Sequence, residues 1–124
     1  MTMKIIVPLD GSNAGFKVIH HAIELAKLFN DEIVLLNIQP SLQELGLPTI
    51  KKGGFMLQGQ DVKYSAKVRI GIPAMEIIAE SNDKEIRYIT MAIGKGKAEA
   101  IGSVSKHVVQ LAKCPVLLIP EHAQ

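Results

Sequence analysis

Short apolar segments rich in β-branched residues alternate in this chain with segments whose apolar residues recur every three or four positions. The first pattern is typical of strands buried on both faces, and the second of helices with one face on a core. The predicted strands are residues 4–9, 32–38, 67–70, 88–93 and 116–119. The predicted helices are residues 13–29, 73–80 and 103–113. This alternation predicts an α/β fold with a doubly wound, Rossmann-like parallel sheet of five strands.

The composition narrows the class of protein further. The 124 residues are 48% hydrophobic and 21% charged, which predicts one soluble domain spanning residues 1–124. The 14 basic and 12 acidic residues form no basic run, and with few aromatic residues this disfavours nucleic-acid binding. Cys114 has no second cysteine to pair with, and residues 1–10 contain neither a signal-peptide core nor a membrane span. We therefore expect a cytoplasmic protein that contacts no membrane.

Two loops are the best candidates for a binding site, because doubly wound sheets bind ligands beyond the carboxyl ends of their strands. Asp10-Gly11-Ser12 follows the first strand, and Gly94-Lys95-Gly96-Lys97 follows the fourth. The helix predicted at Ser103 begins directly after Gly102. The unpaired N–H groups and the dipole of such a helix start attract anions, phosphate above all, although Ser103 could instead only cap its helix.

Five segments in order resemble the universal stress protein family. They are KIIVPLDGS (4–12), HAIELAKLFN (21–30), EIVLLNI (32–38), GIPA (71–74) and GSVSKHVVQLAKCPVLLIP (102–120). The resemblance covers most of the chain and implies the strand order 3-2-1-4-5 and a homodimer. It also implies an ATP-binding cleft in one branch of the family, whereas members of the other branch bind no nucleotide.

The glycine motif of the ATP-binding branch is incomplete in this chain. That motif has Gly, two residues, Gly, nine residues, then Gly followed by Ser or Thr, and here Ile89 and Ala92 stand at the first two glycine positions. The nearest glycines, Gly94 and Gly96, leave a shortened loop with fewer N–H groups for a triphosphate. Lys95 and Lys97 could compensate in part or could simply remain in solvent.

Residues 40–65 also depart from the family, which usually has a long helix there. Two prolines and four glycines interrupt this stretch: Pro40, Gly46, Pro48, Gly53, Gly54 and Gly59. Because both residue types disfavour helices, we expect only a short helical turn at residues 42–45, followed by a mobile loop. The apolar residues of the stretch would either cover the sheet or form a partner surface: Leu47, Ile50, Phe55, Met56 and Leu57.

These observations predict a stress-response homodimer that binds ATP weakly. The resemblance implies that Pro8, Leu9, Asp10 and Ile38 contact the adenosine, and that Gly94, Gly96, Gly102, Ser103 and Val104 contact the phosphates. Asp10 could alternatively do no more than end its strand. The apolar strand 116–119, expected at the sheet edge, is the predicted dimer contact. We identify no catalytic residues, and the four histidines lack metal-ligand spacing.

Two alternatives to the nucleotide-binding dimer remain at this point. One is a stress-response dimer that binds no nucleotide and acts through protein contacts. The other is an ATP-using enzyme of the PP-loop type, which would need a Ser-Gly-Gly-x-Asp-Ser loop after the first strand. The sequence has Asp10-Gly11-Ser12 there, which disfavours the enzyme.

Overall fold

The computed structural model describes residues 2–41, 47–94 and 101–120. The strands are β1 (Lys4–Pro8), β2 (Glu32–Gln39), β3 (Tyr64–Ile70), β4 (Ile86–Ala92) and β5 (Val116–Ile119). The helices are α1 (Asn13–Phe29), α2 (Leu47–Leu57), α3 (Pro73–Glu80) and α4 (Ser103–Leu111). The five predicted strands and three predicted helices are therefore present, with ends that differ by up to three residues from the prediction.

The strands form one parallel sheet in the order β3-β2-β1-β4-β5, which confirms the predicted α/β class and strand order. Strands β1 and β2 pair from Lys4 opposite Glu32 to Pro8 opposite Leu36. Their side chains supply both layers of the core, because parallel strands covered on both faces alternate between two apolar environments. The strand order reverses between β1 and β4, so a crevice opens at their carboxyl ends.

Helix α1 has signals at both ends that explain its length. The Ser12 hydroxyl accepts a hydrogen bond from the Gly15 N–H over 3.3 Å, which satisfies one donor of the first turn. Asn30 adopts the left-handed conformation at the other end, with φ of 56°. The helix buries Val18, Ile19 and Ala22 against the sheet.

Helix α2 corrects the expectation of a mobile loop. It spans 11 residues, about three turns, in the stretch where glycine and proline predicted none. Pro48 lies in the first turn, where its missing N–H breaks no helical bond. Gly53 and Gly54 are buried in the middle of the helix. The predicted turn at residues 42–45 lies outside the described residues.

Close packing explains why the glycines do not prevent this helix. A Cβ at Gly53 would lie 2.9 Å from Leu9 Cδ1 and 3.0 Å from Leu35 Cδ1, so only glycine lets the helix approach this closely. The propensity cost of about 1 kcal/mol per glycine is offset by burial of Leu57, which alone contributes about 1.5–3 kcal/mol. Ile50 and Met56 also pack on the core, as one of the two alternatives proposed. Leu47 and Phe55 face outward.

Helix α3 is tied to the edge strand β3 by three ion pairs. Arg69 binds Glu76 at 2.8 Å and Glu80 at 2.7 Å, and Lys67 binds Glu80 at 2.9 Å. The Glu80 side chain is only 10% exposed, so its charge depends on these partners. The network fixes the orientation of α3, whose first residue, Pro73, forms part of the site described next.

Candidate functional site

A cavity of about 330 Å³ opens where β1, β2 and β4 end and α4 begins. Its apolar floor comes from one side of the sheet and from α3, through Leu36, Met91 and Ile77. The loop after β1 forms one wall, and the first turn of α4 forms the opposite wall. The position at the reversal of the strand order is the one that doubly wound sheets use for ligands.

Eight of the nine predicted binding residues line this single cavity: Pro8, Leu9, Asp10, Ile38, Gly94, Gly102, Ser103 and Val104. Gly96 lies outside the described residues, as do Lys95 and Lys97. The structure thus brings together residues that are as far apart in sequence as Pro8 and Val104. Their contact with a ligand stays a prediction.

The polar end of the cavity is formed by the approach of two backbone segments. A Cβ at Gly94 would lie 2.7 Å from Gly102 Cα, and Gly94 has φ of 107°. The Gly102 N–H donates to the Ile93 carbonyl over 3.0 Å, and the Ser105 hydroxyl donates to the Ala92 carbonyl over 2.9 Å. These contacts fix the start of α4 against the end of β4.

Helix α4 begins with Gly102, not Ser103, in the capping position. Ser103 is the first helical residue, so the alternative in which its side chain caps the helix is wrong. The first-turn N–H groups, from Ser103 onward, have no partner within the helix, and they carry the positive end of its dipole. Among the described residues that line the cavity, Asp10 alone carries a formal charge. Attraction of an anion here would therefore come from backbone groups.

The opposite end of the cavity is shaped by the turn after β1. Asp10 Oδ1 accepts a hydrogen bond from the Ser12 N–H over 2.9 Å, so the Asp10 carboxylate helps to order its own loop. Gly11 has φ of 89°, a conformation that glycine adopts easily. Ile38 contributes an apolar side chain from the end of β2. This end places apolar side chains next to a carboxylate.

Sequence reasoning missed the residues that form the apolar floor of the cavity. Leu36 is two residues before the predicted contact Ile38 on β2, so the two side chains share a face of the sheet, and the alternation of side chains along the strand could have indicated Leu36. The participation of Ile77 has no comparable signal, because it depends on how α3 crosses the sheet.

The other candidate groups within residues 2–41, 47–94 and 101–120 do not form a second reactive site. Burial raises the pKa of the Cys114 thiol, which disfavours the reactive thiolate. Within the described residues, no cluster of His, Cys, Asp or Glu could hold a metal ion. At the amino ends of the strands, the buried carboxylate of Asp31 is already bound by Arg87 and by the Met3 N–H. No described helix is long and apolar enough to cross a membrane.

The sheet order and the cavity at its switch point define a doubly wound α/β protein of the kind that binds ligands at its strand ends. The family model described as the universal stress protein family matches residues 1–54 and 41–120. The chain belongs to the universal stress protein family. It is 32% identical to universal stress protein MJ0531 of Methanocaldococcus jannaschii, over 94% of this chain and 81% of that protein.

Solved structures with the same fold support the comparison. A family member from Arabidopsis thaliana with AMP bound superposes with a TM-score of 0.77 at 19% identity, covering 98% of this chain and 93% of that one. The universal stress protein of Archaeoglobus fulgidus in complex with dAMP gives a TM-score of 0.77 at 18% identity, covering 94% and 97%. At these identities the likeness establishes the fold alone.

Proposed function

We propose that this protein binds an adenine nucleotide in the cavity between the β1 loop and the start of α4. The observation that carries the proposal is the meeting, in one cavity, of an apolar end beside Asp10 and a backbone anion site at Gly102 and Ser103. Relatives of the same fold hold AMP and dAMP. The nucleoside would lie on Pro8, Leu9 and Ile38, and the phosphates would meet the first turn of α4.

The protein then acts by binding, without catalysis, as a cytoplasmic stress-response protein. No acid, base or nucleophile among the described lining residues is arranged for a reaction. The loop Asp10-Gly11-Ser12 differs from the PP-loop that an ATP-using enzyme of that type needs. We expect weak ATP binding, because the glycine motif is shortened and no described lysine or arginine lines the cavity.

Ligand-induced stabilisation tests this proposal directly. A ligand at about 100 times its Kd stabilises the folded state by about 2.7 kcal/mol, so AMP or ATP should raise the melting temperature by several degrees. Ser103→Asp should raise the stability of the free protein by about 0.3–1 kcal/mol, since a carboxylate suits a helix N-terminus. The same carboxylate repels phosphate, so AMP should lose its advantage over adenosine.

Ser103→Asn is the matched control, because it has the shape of aspartate without its charge. It should leave the ratio of AMP affinity to adenosine affinity within about twofold of the wild-type ratio. A tenfold change in that ratio would correspond to about 1.4 kcal/mol. If millimolar ATP and AMP leave the wild-type melting temperature unchanged, and no nucleotide copurifies, the nucleotide proposal fails and the alternative, a dimer that acts through protein contacts, takes its place.

We further propose a homodimer formed through β5. This strand pairs only with β4 among the described strands and so presents a free edge, and Leu117 is 39% exposed. Leu118 instead packs on the core, so a lysine there would disturb folding as well. A twofold contact repeats every change on both subunits, which makes an edge substitution doubly effective.

Leu117→Lys should convert the dimer to monomer, as measured by sedimentation velocity at micromolar concentration. Val68→Lys is the matched control, because Val68 is 37% exposed on β3 at the other edge of the same sheet. The control should remain dimeric. A monomeric wild type, or dissociation by both variants alike, would rule out the β5 contact.

A further inference from the structure

Asn37 is a buried polar residue between apolar neighbours in β2. Its side chain is at the carboxyl end of the strand and the residue is 1% exposed. Both ends of its amide are used: Nδ2 donates to the Leu9 carbonyl over 2.8 Å, and Oδ1 accepts from Gln39 Nε2 over 2.6 Å. Burying an amide costs free energy unless its polar atoms are hydrogen-bonded, and here both Nδ2 and Oδ1 have a partner.

The partner of Asn37 is the residue at which β1 leaves the sheet. The paired register of β1 and β2 ends at Pro8, yet the Leu9 N–H still donates to the Leu36 carbonyl over 2.8 Å. The Leu9 carbonyl lies beyond the last paired residue of β1, and Asn37 supplies its hydrogen bond. Leu9 is 3% exposed, so without Asn37 that carbonyl would be shut off from most water.

The side chain of Leu9 is held from a third direction. Gly53 of α2 approaches it so closely that a Cβ there would lie 2.9 Å from Leu9 Cδ1. The N–H and the carbonyl of Leu9 are thus hydrogen-bonded, and its side chain packs closely against α2. The next residue is Asp10, which lines the cavity and orders the loop through the Ser12 N–H.

We propose that Asn37, itself held by Gln39, is the positioning residue for the nucleoside end of the site. The inference rests on the proposed nucleotide binding. Asn37 does not line the cavity, whereas its neighbours Leu36 and Ile38 do. It therefore acts through the Leu9 carbonyl, by setting where the loop from Leu9 to Ser12 leaves the sheet. The phosphate end, at α4, is held by separate contacts.

The test replaces the amide by an apolar side chain of similar size, Asn37→Leu. By calorimetry, adenosine and AMP should both bind at least tenfold more weakly, and by the same factor, because the phosphate contacts are untouched. The ratio of their Kd values should therefore stay within about twofold, unlike the ratio in Ser103→Asp. A general collapse of the cavity would reduce both affinities and change the ratio as well.

Thr90→Val is the matched control. Thr90 is fully buried on β4, and its hydroxyl has no hydrogen-bond partner among the described residues. Removing this hydroxyl also makes a buried polar residue apolar but leaves no partner unsatisfied, so adenosine affinity should not change. If Asn37→Leu fails to fold, Gln39→Met provides a second variant. It removes the donor to Asn37 Oδ1 and should weaken adenosine and AMP equally, by a smaller factor.

A second readout needs no ligand and separates the two proposals. Amide hydrogen exchange at Leu9 and Ser12 should become at least tenfold faster in Asn37→Leu and remain unchanged in Thr90→Val. If wild-type protein binds neither adenosine nor AMP, the proposed function fails, while exchange still tests the role of Asn37 in the loop. Unchanged exchange at Leu9 and Ser12, or wild-type affinity for adenosine in Asn37→Leu, would overturn the positioning role.

Discussion

Gly94→Ala is expected to lower the free energy of unfolding by about 2–6 kcal/mol, the sum of backbone strain and overpacking. Gly94 has φ of 107°, and a Cβ there would lie 2.7 Å from Gly102 Cα and 2.8 Å from Gly102 N. These neighbours are backbone atoms that cannot rotate away, so the end of β4 and the start of α4 would have to separate. Urea denaturation should show a lower midpoint with an unchanged m-value.

Gly59→Ala separates the two contributions. Gly59 also has a positive φ, of 74°, but a Cβ there meets nothing within 4 Å. It should therefore cost only the strain, about 1–2 kcal/mol. Equal losses of stability in the two variants would show that the contact between Gly94 and Gly102 does not constrain the protein.

Arg69→Met is expected to cost about 2 kcal/mol at pH 7, less than the roughly 3–5 kcal/mol lost when a fully buried pair is broken, because Arg69 is partly exposed. Methionine keeps much of the aliphatic packing but leaves Glu80 with Lys67 as its remaining partner in the network. Burial by itself would raise the pKa of Glu80. Hydrogen bonds and charge from Lys67 and Arg69 outweigh it and hold that pKa below its usual value.

The pH dependence of this loss follows from the sign of the shift. A carboxylate whose pKa is lowered by folding stabilises the protein above its unfolded pKa of about 4.3, and the contribution disappears as the pH falls through the folded value. The stability gap between wild type and Arg69→Met should therefore be largest near neutrality and narrow below about pH 4. A gap of the same size at pH 3 would contradict the role of Glu80.

Lys4→Met is the control for the Arg69 substitution. Lys4 pairs with Asp83 at 3.7 Å and with Glu85 at 3.9 Å, and all three side chains are at least a third exposed. Such surface pairs contribute about 0–1 kcal/mol, so Lys4→Met should change stability little at either pH.

The strands and three of the helices could be predicted because their signals are local. The run from Ile5 to Pro8 is apolar whatever residues lie opposite, and Ser12 caps the helix that it precedes. Helix α2 could not be predicted in this way. Gly53 disfavours a helix in the isolated segment, but in the folded protein it allows contact with Leu9 and Leu35. Tertiary packing outweighed propensity there.

The candidate site shows the same division. Motifs located the Asp10 turn and the Gly102-Ser103 helix start, and the strand order then brought both to one cavity. The capping role of Gly102, the apolar floor and the bond from Asn37 to Leu9 needed the structure. In sequence, Asn37 is one polar residue in an apolar strand, and nothing local indicates which carbonyl it binds.

The sequence by itself determined the five strands and the helices α1, α3 and α4, and through the family resemblance the strand order, because side-chain periodicity and turn residues act over a few neighbouring positions. Only the tertiary structure decided how those segments pack against one another. Helix α2 packs closely on Leu9 and Leu35 because Gly53 has no side chain. The end of β4 likewise meets the start of α4 because Gly94 and Gly102 have no side chains to keep them apart. Contacts between residues distant in sequence depend on geometry that no short segment encodes.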